Sequence, residues 1–185
     1  MNTEFKPQHL PVAAFATAGA HISGTVALSK LERLAQDLRQ QDADLVQNIV
    51  QWEAQGVQRA VLGGKDQVWL HLQATAQLPL TCQRCMELVL QPVELNRSFR
   101  FVATEAQAAE QDDEAEEDLL VLQRQFDVLE LLEDELLMAL PMVPKHEVCP
   151  APVKLAVADA EFEAQIDAKP KPFAALAALA KKNSA

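Results

Sequence analysis

Hydrophobic spacing along the chain changes period several times, and each change predicts an element. Across His21 to Leu28, Ile22, Val26 and Leu28 alternate roughly with polar neighbours, which predicts a first strand. Ser29-Lys30-Leu31-Glu32 then sets a serine three residues ahead of a glutamate, the reciprocal capping arrangement of a helix start. Leu31, Leu34, Ala35 and Leu38 recur at helical spacing, carrying that helix to about Gln40. Beyond Gln41-Asp42-Ala43-Asp44 the period becomes 2, with Val46, Asn48, Val50 and Trp52 alternating. Gly56 offers a turn, Val57 to Leu62 forms a second run, and Gly63-Gly64-Lys65-Asp66 reverses the chain. Val68 to Leu78 predicts the principal strand; Met86 to Leu90 and Val93 to Val102 continue the pattern, broken by Pro92. Leu119 to Leu122 adds an edge strand. Asp127, three residues before Glu130, predicts a second cap. Leu129, Leu132, Leu136 and Leu140 then form one face of a helix that stops before Pro141.

These elements predict a single α+β domain over residues 1–150, an antiparallel meander of about four to six strands with two main helices. Partial curvature into a barrel is left open by the pattern. Trp52 and Trp69 fall within strands and are expected in the core, while His9, His21 and His71 read as surface or strand histidines. Met1 to Pro11 reads as a loosely attached arm. On the second helix Glu130, Glu133, Asp134 and Glu135 oppose the leucine face and are expected to be solvated. Residues 151–185 form a flexible tail. Its Lys169-Pro170-Lys171-Pro172-Phe173 run is a stiff linker, because alternating Pro fixes φ. Phe173, Leu176 and Leu179 then make a short amphipathic helix, a candidate partner-binding face too short to stand alone.

Composition narrows the class. At 185 residues and 49% apolar the chain is long enough for a real core, and its 23% charged fraction is ordinary for a soluble protein. No stretch is long and apolar enough to span a bilayer, and the N-terminus lacks the pattern of a secretory or transit signal. Three cysteines, an odd number, fit a reducing compartment, so the expected location is the cytoplasm. The net charge of -11 argues against nucleic acid on average, yet the charge is uneven. Glu105 to Asp118 holds eight acids and no base, which predicts a disordered acidic insertion over about 104–117. Arg59 to Arg100 carries five bases against three acids, and the tail adds Lys169, Lys171, Lys181 and Lys182. Arg84, Arg97 and Arg100 are therefore the candidate RNA contacts.

Candidate chemistry lies in two short pairs. Cys82-Gln83-Arg84-Cys85 and His146-Glu147-Val148-Cys149 each place two metal-ligand types two residues apart on a turn. That gap lets both side chains of one turn reach one ion, and a Cys3His set closes a tetrahedral Zn²⁺ site with no open position. The reading is one structural Zn²⁺ held by Cys82, Cys85, His146 and Cys149. The alternative is reduced cysteines packed as small hydrophobes with His146 exposed. A thioredoxin-like redox role needs a helix after the first pair, where the pattern predicts a strand. No phosphate-cradling loop or dinucleotide fingerprint is present, so neither a catalytic centre nor a small-molecule substrate is expected.

Three motifs together resemble one family. Leu80-Thr81-Cys82-Gln83-Arg84-Cys85, the run from Leu132 through Pro144 to Cys149, and the ending from Lys169 through Phe173 to Leu179 look like the bacterial YceD family. Its members are described as large ribosomal RNA subunit accumulation proteins, implicated in synthesis, processing or stability of 23S rRNA. The resemblance implies a non-enzymatic ribosome-biogenesis factor, with large-subunit rRNA or a pre-ribosomal particle as partner and no catalytic residue to carry over. What carries over is Cys82, Arg84 and Cys85 at the first turn, and His146 and Cys149 at the second. A second class remains beside it: an acidic adaptor for a basic ribosomal protein or assembly factor, working through Glu105 to Asp118 and the Phe173 to Leu179 tail.

Overall fold

Alternation of buried and exposed side chains gives the sheet one covered face and one open face. In a computed structural model, which describes residues 5–39, 49–150, 157 and 159, β2 (Ile49–Arg59) buries Val50, Trp52 and Ala54 while Gln51, Glu53 and Gln55 stay exposed. β3 (Gln67–Thr81) buries Leu70, Leu72, Ala74, Ala76, Leu78 and Leu80 on the same side, and β4 (Leu88–Val102) adds Val93, Leu95, Phe99 and Phe101. With β1 (His21–Ala27) these strands form the expected antiparallel meander. The order is β1-β2-β3-β4-β5, and the sheet does not close into a barrel.

The remaining strand corrects the antiparallel reading. β5 (Asp118–Val121) pairs parallel to β4, Phe99 to Asp118 through Val102 to Val121, so the sheet is mixed. The crossover is the acidic stretch expected to be disordered, and within it α3 (Glu105–Gln111) is helical. Thr104 caps α3 by accepting from the Gln107 backbone N–H at 3.2 Å. Arginines of β4 supply the counter-charge that the local sequence lacks: Arg97 pairs with Asp118, and Arg100 with Glu117.

Two strands run through residues expected to interrupt them. β2 passes straight through Gly56, which is needed for packing and not for a turn. A Cβ there would come within 2.6 Å of the Phe15 ring and 2.8 Å of the Ala16 backbone. Those residues belong to α1 (Val12–Thr17), which seats Val12, Phe15 and Ala16 in the core. Part of the expected loose arm is therefore anchored, since Leu10 is fully buried and exchanges backbone hydrogen bonds with Phe126. β4 passes through Pro92, which pairs with Gln77. β5 covers only Phe99 to Val102, so the missing N–H of Pro92 lies where no further strand pairs among the described residues.

α2 (Glu32–Asp37) and α4 (Val128–Met138) are the two expected main helices. Asp127 caps α4 as predicted, accepting from the backbone of Leu129 and Glu130. The Ser29/Glu32 capping box does not form. Leu28–Lys30 makes a 3-10 turn, and α2 has no side-chain cap of its own. Its orphan N–H groups at Arg33 and Leu34 are taken by Glu133 of α4, at 2.7 and 3.1 Å. Glu133, and Glu135 beside Arg97, are buried, not solvated. Trp52 joins the core, whereas Trp69 is buried on the opposite face, under the Arg59 guanidinium at 3.9 Å from its ring centroid. There it stacks on His71, whose Nδ1 lies 2.7 Å from the Ser98 hydroxyl.

The chain divides into two compact units, Met1–Cys149 and Pro150–Ala185. In the second, Pro150, Val157 and Asp159 are the described residues, so Phe173, Leu176 and Leu179 lie outside them. Among the described residues no helix is long and apolar enough to cross a membrane.

Candidate metal centre

The β3–β4 connection is a tight loop. The Cys82 N–H donates to Glu87 O and the Met86 N–H to Cys82 O, both at 2.9 Å, with Met86 at φ 62° to close the reversal. Folded this way, Cys82 and Cys85 point to one side. The second segment reaches them because the Gln83 N–H donates to Pro144 O at 2.9 Å, which docks the chain just ahead of His146. Ligand atoms of Cys82, Cys85, His146 and Cys149 then all lie within 4.8 Å of one another. The two turns inferred to meet do meet.

These distances suit a small tetrahedral ion. With Zn–S near 2.3 Å and Zn–N near 2.0 Å, tetrahedral geometry puts neighbouring ligand atoms roughly 3.5 to 3.8 Å apart. The Cys82 and Cys149 sulfurs are 4.0 Å apart, and Cys85 Sγ lies 3.4 Å from His146 Nδ1. All three cysteines are free thiols. His146 is oriented to ligate through Nδ1, because its Nε2 lies 2.9 Å from Leu88 O and donates to it, leaving the Nδ1 lone pair toward the sulfurs. Cys82 is buried and the other three are half-buried.

Electrostatics favour thiolate at the centre. Burial pushes the Cys82 thiol up, but backbone N–H groups of His146, Cys85 and Arg84, with the Cys85 thiol, outweigh it and bring the value down to about 5. Burial raises Cys85, and the thiols of Cys149 and Cys82 push it the same way, against the Glu87 backbone. One sulfur is thus poised to ionise first. Arg84, between the two cysteines in sequence, donates from Nε to Cys149 Sγ at 3.0 Å and from Nη2 to His146 O and Glu147 O at 2.8 and 3.1 Å. The bond to Cys149 is the main reason its guanidinium holds its proton more tightly still.

The three candidate RNA arginines do not form one patch. Thr81 pairs with Leu88 at the cysteine end of the β3–β4 hairpin, whereas Arg97 faces Leu72 and Arg100 faces Trp69. At about 3.3 Å per residue this separates Arg84 from Arg97 by roughly 30 Å and from Arg100 by roughly 40 Å along the strands. Arg97 also binds Glu135 at 3.1 Å, and Arg100 donates to Gln111 at 2.7 Å. Sequence reasoning missed the attachment of Arg84 to sulfur. Its one visible signal was the place of Arg84 between two candidate ligands.

Fold and cluster define a class: an α+β scaffold whose central hairpin loop carries half of a metal-competent cluster, completed by a distal segment. A family model described as "Large ribosomal RNA subunit accumulation protein YceD" matches residues 70–180, which include all four donors and Arg84. The protein of that name from Haemophilus influenzae (strain ATCC 51907 / DSM 11121 / KW20 / Rd) is 31% identical over 161 residues, covering 86% of this chain and 87% of that protein. The chain belongs to the YceD family, as its three motifs suggested. No solved structure matches it.

Proposed function

We propose that this chain is a non-catalytic cytoplasmic factor that supports accumulation of large-subunit 23S rRNA by binding the rRNA or a pre-ribosomal particle. In this reading one Zn²⁺, held by Cys82, Cys85, His146 and Cys149, is structural. The observation that carries the reading is family membership, since the relative named for large ribosomal RNA subunit accumulation aligns over most of both chains. The cluster agrees with it, because four protein donors leave no coordination position for a reacting water.

A second reading draws on a specific observation. Arg97 and Arg100 are engaged by Asp118, Glu135 and Glu117, so phosphate reaches them only by displacing carboxylates. An acidic adaptor for a basic ribosomal protein makes no such demand. A salt series with large-subunit rRNA fragments separates the two. Direct binding gives a steep negative slope, and Glu117→Gln with Asp118→Asn strengthens binding by removing one carboxylate from each arginine, although Glu135 still holds Arg97. The adaptor gives no rRNA binding at low salt and captures basic ribosomal proteins, a capture that weakens as the acids from Glu105 to Glu116 are neutralised. Cleavage of rRNA by the pure protein would overturn both.

A further inference from the structure

We infer that Arg84 is the charge-balancing and positioning arm of the metal centre, not a phosphate contact; this rests on the metal reading above. A divalent ion with three thiolates and one neutral imidazole carries a net charge of about −1, which burial makes costly unless a cation lies against it. Among the described residues Arg84 is the basic side chain that donates to a cluster sulfur, at 3.0 Å from Cys149. The same guanidinium holds both carbonyls of His146 and Glu147, at 2.8 and 3.1 Å. One planar fork therefore fixes the path of the distal segment while it neutralises the sulfur at that segment's end.

The placement explains why the arginine sits between the two cysteines. Cys82 and Cys85 are set by the hairpin loop itself, through its own backbone hydrogen bonds. His146 and Cys149 arrive from 61 or more positions away, and the loop needs a side chain long enough to grip them. Lysine at this position keeps the charge but offers a point donor that cannot bond one sulfur and two carbonyls in a plane. Engaging Nε and Nη2 with these partners leaves Nη1 alone for any outside acceptor, a poor arrangement for bidentate phosphate recognition.

Zinc affinity of the full-length protein, measured by competition with a chromophoric chelator under reducing conditions, tests the inference. Arg84→Ala should weaken zinc about 10- to 100-fold, the range for residues that orient metal ligands, with Arg84→Lys in between. In the cobalt(II)-substituted protein, the thiolate-to-cobalt absorption of Arg84→Ala should shift, because Cys149 loses its donor. A merely structural role would leave that band in place. Folding of each variant is followed by circular dichroism, and the lysine variant serves if the alanine variant fails to fold. Unchanged zinc affinity and cobalt spectrum in a folded variant, or a loss of rRNA affinity alone, would overturn the role of Arg84. Failure of the unaltered protein to take up zinc or cobalt would instead overturn the metal reading beneath it.

Discussion

Glu135 shows how one buried carboxylate makes stability depend on pH. Its side chain is 6% exposed on α4, where burial raises its pKa above the ordinary 4.5 and Arg97 only partly opposes the rise, with Asp118 adding repulsion. The folded protein then binds this proton more tightly than the unfolded chain. The contribution to stability is full below 4.5 and is lost as pH climbs through the raised folded value. Melting temperatures of the unaltered protein and Glu135→Gln across about pH 4 to 7 should diverge within that window, the unaltered protein losing ground as pH rises. Parallel profiles would show that Glu135 does not titrate abnormally. Three and four residues after Leu132 and Leu131, Glu135 lies on their side of the helix, but nothing local announces that Arg97 waits beside it.

At the scale of elements, the hidden device is a helix cap supplied in trans. α2 starts without a side-chain cap, and Glu133 accepts from its Arg33 and Leu34 N–H groups while its second oxygen takes Arg33 Nε and Nη2 at 3.1 and 3.0 Å. The capped helix lies about 100 positions away in sequence, and Asp134 adds a second carboxylate contact to the Arg33 guanidinium. Glu133→Ala should cost about 1 to 2 kcal/mol, as loss of a helix cap does, and Glu133→Gln less, since an acceptor remains. Urea unfolding checks this: the midpoint should fall with its slope unchanged. An equal midpoint would mean that water replaces the cap without penalty. Elements carried by local patterning were legible for the same reason that this cap was not. The Leu31/Leu34/Leu38 stripe, the Asp127 cap and the alternation of β3 need no distant partner. α1 is seated by its contact with Gly56 of β2, which no local spacing encodes, and α3 with β5 draws its counter-charge from Arg97 and Arg100.

For the whole molecule, the four-donor cluster joins a loop formed by local hydrogen bonds to a segment that only tertiary structure delivers. Ligand types and spacings were readable in Cys82/Cys85 and His146/Cys149. Their meeting depended on contacts such as Gln83 N–H to Pro144 O, which no spacing encodes. The core itself is built from β1 to β4 and the helices, with Cys82 the cluster donor fully buried in it. Metal removal should therefore loosen the clip while the sheet persists. A ligand bound only by the folded state adds about 4 kcal/mol when its free concentration is 1,000 times Kd, so stripping zinc with a chelator should lower stability by a few kcal/mol. Hydrogen exchange should rise at Cys82 to Leu88 and over 142–149, with central β3 amides such as Leu72 and Ala74 still protected. In Cys82→Ser the chelator should change neither quantity, because the site is already broken. If chelation instead unfolds the sheet as quickly as the clip, the metal organises the whole domain; if neither responds in a protein shown to hold zinc, the clip carries no tension between its two segments.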